Sequence, residues 1–116
     1  LLIHSYFMTK DYSKELKELI EKYKDKGFRY AKPINFLLER IGDTKENIEK
    51  ELIDFKDLKF CEKQERKGEI RYTLYYVYSN NKGRIYSITF EDKIVIVTIF
   101  PIGKKTLKKY KKKFIS

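Results

Sequence analysis

The residues best suited to chemistry stand in one basic segment near the end of the chain. Residues 104–113 contain seven lysines, Tyr110 and no acidic residue. The whole chain of 116 residues carries a formal net charge of +10, so the other residues together contribute only +3. Positive charge concentrated in this way is typical of proteins that bind polyanions, above all nucleic acid. The alternative is a solvated, lysine-rich terminus that only aids solubility.

A candidate catalytic set for cleaving a phosphodiester bond without a metal consists of Arg71, Arg84, Lys105 and Tyr110. Such cleavage requires cations that neutralise the developing phosphorane. It also requires one group that takes the proton of the 2′-hydroxyl and another that protonates the leaving oxygen. Neighbouring positive charge lowers the pKa of lysine and tyrosine, which suits them to proton transfer. We expect these four side chains to share one face of a sheet.

The same cations also fit plain phosphate binding without cleavage. The predicted nucleic-acid-binding residues are seven lysines and two tyrosines: Lys82, Lys104, Lys108, Lys109, Lys111, Lys112, Lys113, Tyr72 and Tyr86. The tyrosines are interpreted as a platform on which unstacked bases stack. The alternative for them is packing between the sheet and its covering helices.

The sequence predicts neither a metal site nor a cofactor. The chain has one histidine, His4, and one cysteine, Cys61, in unrelated segments, which do not make a zinc site. A single cysteine excludes an internal disulfide and suits a reducing compartment. No apolar run approaches the ~20 residues of a membrane span. We therefore predict a cytoplasmic protein that does not enter a membrane.

Helical spacing of apolar residues predicts three helices in the first half of the chain. The first begins at Asp11 and ends at Gly27, and residues 28–32 are interpreted as a linker. Pro33 begins the second helix, which Gly42 ends. Asp43, with Glu46 three residues later, is predicted to cap the third helix. Residues 1–10 are interpreted as a disordered lead-in or an extra edge strand.

Four strands are predicted in the second half, over residues 58–66, 70–78, 84–90 and 94–100. Short turns between them favour an antiparallel meander, with a tight turn at residues 67–68. Residues 94–100 are apolar on both faces, which predicts a central or well-covered strand. Residues 103–116 form a final basic helix. The predicted fold is thus a single α+β domain spanning residues 1–116: N-terminal helices, a four-stranded antiparallel meander and a C-terminal basic helix.

Over residues 33–114 this layout resembles the RelE/ParE superfamily of toxin proteins, particularly the BrnT-like branch of small ribonuclease toxins. The resemblance rests on the Arg-led strand Arg71-Tyr72-Thr73, the strand start Gly83-Arg84, and a closing helix of the Lys-Lys-x-x-Lys-Lys-Tyr type over residues 104–110. It implies a fold like that of a microbial ribonuclease, cleavage of mRNA and neutralisation by an antitoxin protein. The chain departs from the family in its segment 100–104 and in its additional N-terminal helix.

We therefore expect a protein that interacts with nucleic acid, RNA rather than DNA, and the resemblance implies that it acts as a metal-independent endoribonuclease. One alternative is a non-catalytic binding protein, with residues 33–55 as a helix-turn-helix and residues 72–90 as a wing. The acidic third helix, which holds Glu46, Glu49, Glu51 and Asp54, argues against that use. Another alternative is a protein-interaction module whose tail contacts an acidic partner or closes a homodimer.

Overall fold

A computed structural model of the protein describes residues 10–115, with side chains described through Lys111. These residues form α1 (Ser13–Tyr23), β1 (Phe28–Tyr30), α2 (Ile34–Ile41), α3 (Lys45–Asp54), β2 (Leu58–Arg66), β3 (Glu69–Ser79), β4 (Lys82–Phe90), β5 (Ile94–Gly103) and α4 (Lys104–Ile115). A single 3-10 turn, Lys24–Lys26, follows α1. The α+β class is therefore confirmed. The expectation for residues 1–10 concerns positions that, except for Lys10, lie outside the described residues.

The five strands form one mixed sheet in the order β1-β5-β4-β3-β2. β2 to β5 pair antiparallel as predicted, but β1 pairs in parallel with β5, placing Phe28 opposite Ile94. The prediction of a four-stranded, purely antiparallel sheet is therefore wrong. β1 lies in the segment interpreted as a linker, because three residues are too few to display a strand's alternation. The doubly apolar β5 lies between β1 and β4, as expected of a central strand.

The turn between β2 and β3 accounts for the register of the meander. Lys67 and Gly68 both have positive φ values, 51° and 81°. Two consecutive left-handed residues are typical of the two-residue turns whose twist matches antiparallel strands. Arg66 consequently pairs with Glu69. The predicted strand over residues 58–66 and its tight turn are both confirmed.

The start of α3 differs from the prediction by one residue. Thr44, not Asp43, is the capping residue, and its side-chain oxygen accepts a hydrogen bond from the Asn47 backbone N–H at 3.2 Å. Asp43 instead accepts a hydrogen bond from the Thr44 N–H and forms an ion pair with Arg84. The predicted capping box is wrong because the carboxylate of Asp43 is engaged by the sheet.

The two faces of the sheet are covered by different helices. The face against α1, α2 and α3, here called the helix-covered face, holds the main core, with Leu16, Ile20, Leu37, Ile48, Leu52, Cys61, Tyr72, Leu74, Tyr76, Tyr86, Ile88, Ile94, Ile96 and Ile99. The opposite face, here called the α4 face, packs against α4 in a smaller cluster of Phe60, Tyr75, Ile85, Ile102 and Leu107. Side chains alternate along each strand, so neighbouring residues belong to different faces.

Gly83 allows β4 to lie close to the backbone of β3, at the end of the sheet where β5 leads into α4. A Cβ atom at this position would lie 2.6 Å from the Tyr76 carbonyl oxygen and 3.0 Å from the Ile102 side chain. Only glycine fits such a close backbone approach. Gly83 also pairs with Ile102 in the sheet register, directly before the first turn of α4.

Candidate nucleic-acid interface

α4 is held on the sheet by two side chains one turn apart. Leu107 is buried, and Tyr110 is half-buried with its ring centroid 5.1 Å from that of Tyr75. Lysine and leucine are good helix formers, but lysines three or four residues apart repel one another. The apolar contacts of Leu107 and Tyr110 offset this repulsion and direct the lysines away from the sheet.

A groove runs between α4 and the end of β3. Its volume is about 340 Å³, and its lining residues are Val77, Ser79, Asn80, Lys104, Leu107, Lys108 and Lys111. The three lysines are spaced four and three residues apart, which places their side chains on one stripe of the helix. The groove therefore combines an apolar floor with ammonium groups on one side and the polar β3–β4 turn on the other.

The charge of this surface is unbalanced. Lys104, Lys105, Lys108, Lys109 and Lys111 are all exposed, and none of them forms an ion pair within the described residues. Lys82 is exposed and pairs with Gly103 in the sheet register, but strand alternation places its side chain on the same face as Arg84. The unbalanced charge of the α4 face therefore comes from the five described lysines of α4. Lys112 and Lys113 belong to α4, but their side chains lie outside the described part of the chain.

Arg84 lies on the helix-covered face, away from the lysines. Its guanidinium contacts Asp43 Oδ2 and Glu51 Oε1, each at 3.0 Å, and its side chain is only 12% exposed. Glu51 also accepts hydrogen bonds from the hydroxyls of Tyr86, at 2.5 Å, and Tyr78. The guanidinium and the two carboxylates therefore neutralise one another inside the fold. Arg84 therefore joins β4 to α3 and presents no cation to a ligand on the α4 face.

The other members of this buried cluster show the same structural role. Burial by itself raises the pKa of Asp43. Hydrogen bonds from Asn47 and the Thr44 N–H, together with the Arg84 guanidinium, lower it by more, so the pKa of Asp43 lies below its ordinary value. Burial raises the pKa of Tyr86, and the charge of Glu51 raises it further. The Tyr86 hydroxyl therefore stays protonated and donates a hydrogen bond to Glu51.

The predicted catalytic set is not assembled in one place. Arg71 lies on the α4 face but near the start of β3, where its Nε contacts Glu69 at 2.6 Å. Val77, the β3 residue that lines the groove, is six positions beyond Arg71. This separation corresponds to about 20 Å of strand. Lys105 and Tyr110 do share α4. The expectation of one face shared by all four residues is wrong, because Arg84 alternates onto the opposite side.

The predicted base-stacking platform is also absent from the surface. Tyr72 is 3% exposed and Tyr86 is fully buried beneath the helices. Burial raises the pKa of Tyr72, and its hydroxyl donates a hydrogen bond to Glu15 on α1. Neither ring can stack on a base while the helices remain in place. The alternative interpretation, packing between sheet and helices, describes both residues.

Sequence reasoning missed the residues that complete the groove opposite the lysines. Ser79 and Asn80 occupy the β3–β4 turn, and Val77 forms part of the floor. The asparagines at positions 80 and 81 marked this turn in the sequence. Nothing in the sequence, however, indicated that α4 folds back beside it.

Two further features bear on possible chemistry. Burial raises the pKa of the Cys61 thiol, which disfavours the thiolate needed for nucleophilic attack. His4 lies outside the described residues. Within residues 10–115 no group of three or more histidine, cysteine, aspartate or glutamate side chains is arranged to hold a metal ion.

Among residues 10–115, every helix is too short or too polar to cross a membrane.

Comparison of the chain with protein-family models, curated proteins and solved structures found no significant match. The resemblance to RelE/ParE toxins therefore stays a prediction, and the geometry of α4 and the sheet carries the functional argument.

Proposed function

We propose that this protein binds nucleic acid through phosphate contacts made by the lysines of α4. The observation that carries the proposal is a helix with five exposed lysines and no acid in its described part, beside a groove that three of these lysines line. RNA is the ligand that the resemblance to RelE/ParE toxins favours.

The physical basis is the release of counterions. Lysines without carboxylate partners are neutralised only by mobile anions, and a nucleic acid takes the place of those ions while losing its own. Each phosphate neutralised on a single strand changes the slope of log affinity against log salt by about −0.7. Five engaged lysines therefore predict a slope of roughly −3.5.

Binding, not cleavage, is the function that the geometry favours. Cleavage without a metal needs cations and proton-transfer groups around one phosphate. Arg84 is enclosed by Asp43 and Glu51, and Arg71 lies about 20 Å along the strand from the groove. Cleavage of RNA in the presence of EDTA by a pure preparation, abolished by Tyr110→Phe, would reverse this preference.

The test measures the affinity of the full chain for a fluorescein-labelled uridine 12-mer by fluorescence anisotropy, between 50 and 300 mM salt. The variant Lys104→Gln/Lys108→Gln/Lys111→Gln removes the three lysines of the groove. The matched control Lys14→Gln/Lys45→Gln/Lys50→Gln removes the same charge from exposed positions on α1 and α3.

We expect the groove variant to lose affinity on the order of 100-fold at 0.1 M salt, with a slope smaller by about 2, since three phosphate contacts are lost. The control should lose less than about threefold. Equal losses from the two variants would mean that only net charge matters. No binding by the wild-type chain at 50 mM salt would overturn the proposal outright.

A further inference from the structure

A second basic patch lies on the α4 face at the far end of the sheet. It surrounds a cavity of about 370 Å³ lined by Gln64, Arg66, Lys67, Glu69 and Arg71. Glu69 is paired with Arg71, which leaves the patch with a net charge of +2. The register places Gln64 opposite Arg71 and Arg66 opposite Glu69, so the patch spans both strands of the β2–β3 hairpin.

Strand alternation puts this patch and the groove on the same side of the sheet. Arg71 precedes Thr73, Tyr75 and Val77 at intervals of two residues along β3, and Tyr75 packs in the cluster beneath α4. Val77 is six positions beyond Arg71, which separates the two basic sites by about 20 Å.

α4 covers Tyr75, and between this helix and the patch the surface is polar and partly accessible. Thr73, Ser87 and Thr98 lie in register on three adjacent strands, and each is half-buried. Phe100, on the same face, is 37% exposed and offers a ring edge or face to a ligand. Hydroxyl groups and an accessible aromatic ring between two cationic sites are suited to bases whose backbone is held at both ends.

One carboxylate, Glu62, lies between the basic sites on β2. It accepts a hydrogen bond from the Tyr75 hydroxyl at 2.5 Å and is only partly exposed. A carboxylate repels phosphate but accepts hydrogen bonds from the amino groups of bases. Its position therefore favours bases, and disfavours the backbone, over the middle of the face.

From this arrangement we infer that the α4 face binds a single strand of nucleic acid, with phosphates at the lysines of α4 and at the Arg66–Lys67–Arg71 patch and with bases over the Thr73–Ser87–Thr98 surface between them. The inference rests on the proposed function and extends it. A span of 20 Å corresponds to at most about six nucleotides at the ~3.4 Å spacing of stacked bases. A duplex, whose bases are paired inside, cannot place them on the sheet.

The experiment compares wild type with Arg66→Gln/Arg71→Gln on a uridine 12-mer, a uridine trimer and a 12-base-pair RNA duplex. Arg66→Lys/Arg71→Lys retains the charge, and Lys45→Gln/Lys50→Gln removes two charges from the other side of the molecule. Thermal unfolding of each variant confirms that it is folded at the assay temperature.

Loss of two phosphate contacts predicts a 12-mer affinity lower by roughly 25-fold at 0.1 M salt and a slope smaller by about 1.4. The trimer, too short to bridge the two sites, should bind wild type and variant alike. The lysine variant should recover most of the affinity, and the control should stay within about twofold.

The outcomes separate this inference from the proposed function. If Arg66→Gln/Arg71→Gln binds the 12-mer like wild type while the groove variant does not, the track from α4 to the patch is overturned and binding at α4 stands. If neither variant changes affinity, both fall. If the duplex binds as tightly as the single strand and loses as much affinity in the variant, the assignment to single strands is overturned.

Discussion

Replacing Arg84 with methionine tests whether this residue maintains the fold or contacts a ligand. The guanidinium lies between Asp43 and Glu51, both at 3.0 Å, and the three side chains are only 12%, 21% and 15% exposed. Methionine keeps much of the side-chain volume but leaves two carboxylates without a cation. We expect a large loss of stability and an unchanged affinity for nucleic acid.

The magnitude follows from the burial of the three groups. Removing one partner of a buried ion pair costs about 3–5 kcal/mol, because the remaining charge stays desolvated. The partial exposure of Asp43 and Glu51 places the expected loss near the lower limit, about 3 kcal/mol. For a chain of this length, a loss of that size lowers Tm by roughly 12 °C.

Urea unfolding followed by tyrosine fluorescence measures the loss directly. The triple variant Arg84→Met/Asp43→Asn/Glu51→Gln is the matched control, since it removes the unpaired charges while its amide oxygens still accept hydrogen bonds. It should recover more than half of the lost stability. A loss below about 1 kcal/mol in Arg84→Met, or weaker nucleic-acid binding by the folded variant, would refute the structural role.

Three other perturbations probe the elements that position α4 and the buried cluster. Gly83→Ala forces a Cβ against the Tyr76 carbonyl and should cost about 1–3 kcal/mol in urea unfolding, whereas Gly103→Ala, with nothing within 4 Å, should cost less than about 0.5 kcal/mol. Leu107→Ala removes the buried anchor of α4 and should cost about 2 kcal/mol, with faster amide hydrogen exchange in this helix than elsewhere; uniform exchange would contradict a local anchor. Because the pKa of Asp43 is lowered in the folded state, its carboxylate contributes fully to the free energy of unfolding above about pH 5. This contribution is lost as the pH falls through the lowered pKa of the folded state. Asp43→Asn should therefore flatten the acid limb of a plot of unfolding free energy against pH, and an unchanged limb would show that other carboxylates dominate it.

The meander was predictable because its signals are local. The alternation of apolar and polar residues over residues 70–78, and the turn at Lys67 and Gly68, identify strands and their connection without any tertiary information. β1 was not predictable in this way. Its three residues form a strand only because β5 supplies a partner in parallel, a contact between segments more than 60 residues apart.

The functional residues divide in a similar manner. The lysines of α4 could be recognised from composition alone, since an acid-free basic helix has few structural explanations. Whether Arg71 and Arg84 face these lysines depends on strand register and on the side of the sheet that α4 covers. Turns such as Lys67–Gly68 set the register locally, but the side that α4 covers is not encoded by a short motif, because it follows from the packing of Leu107 against the sheet.

The cations on the two sides of the molecule differ in what a phosphate would gain by approaching them. On the helix-covered face, Arg84 is neutralised by two carboxylates and Lys63 by Glu15 at 2.7 Å, so a phosphate would have to displace a fixed partner and leave it unpaired. On α4, the partners to be displaced are dissolved ions, whose release favours binding. The same formal charge therefore stabilises the fold on one face and attracts a polyanion on the other, which is why the charge that matters for binding is that of the α4 face and not the +10 of the whole chain.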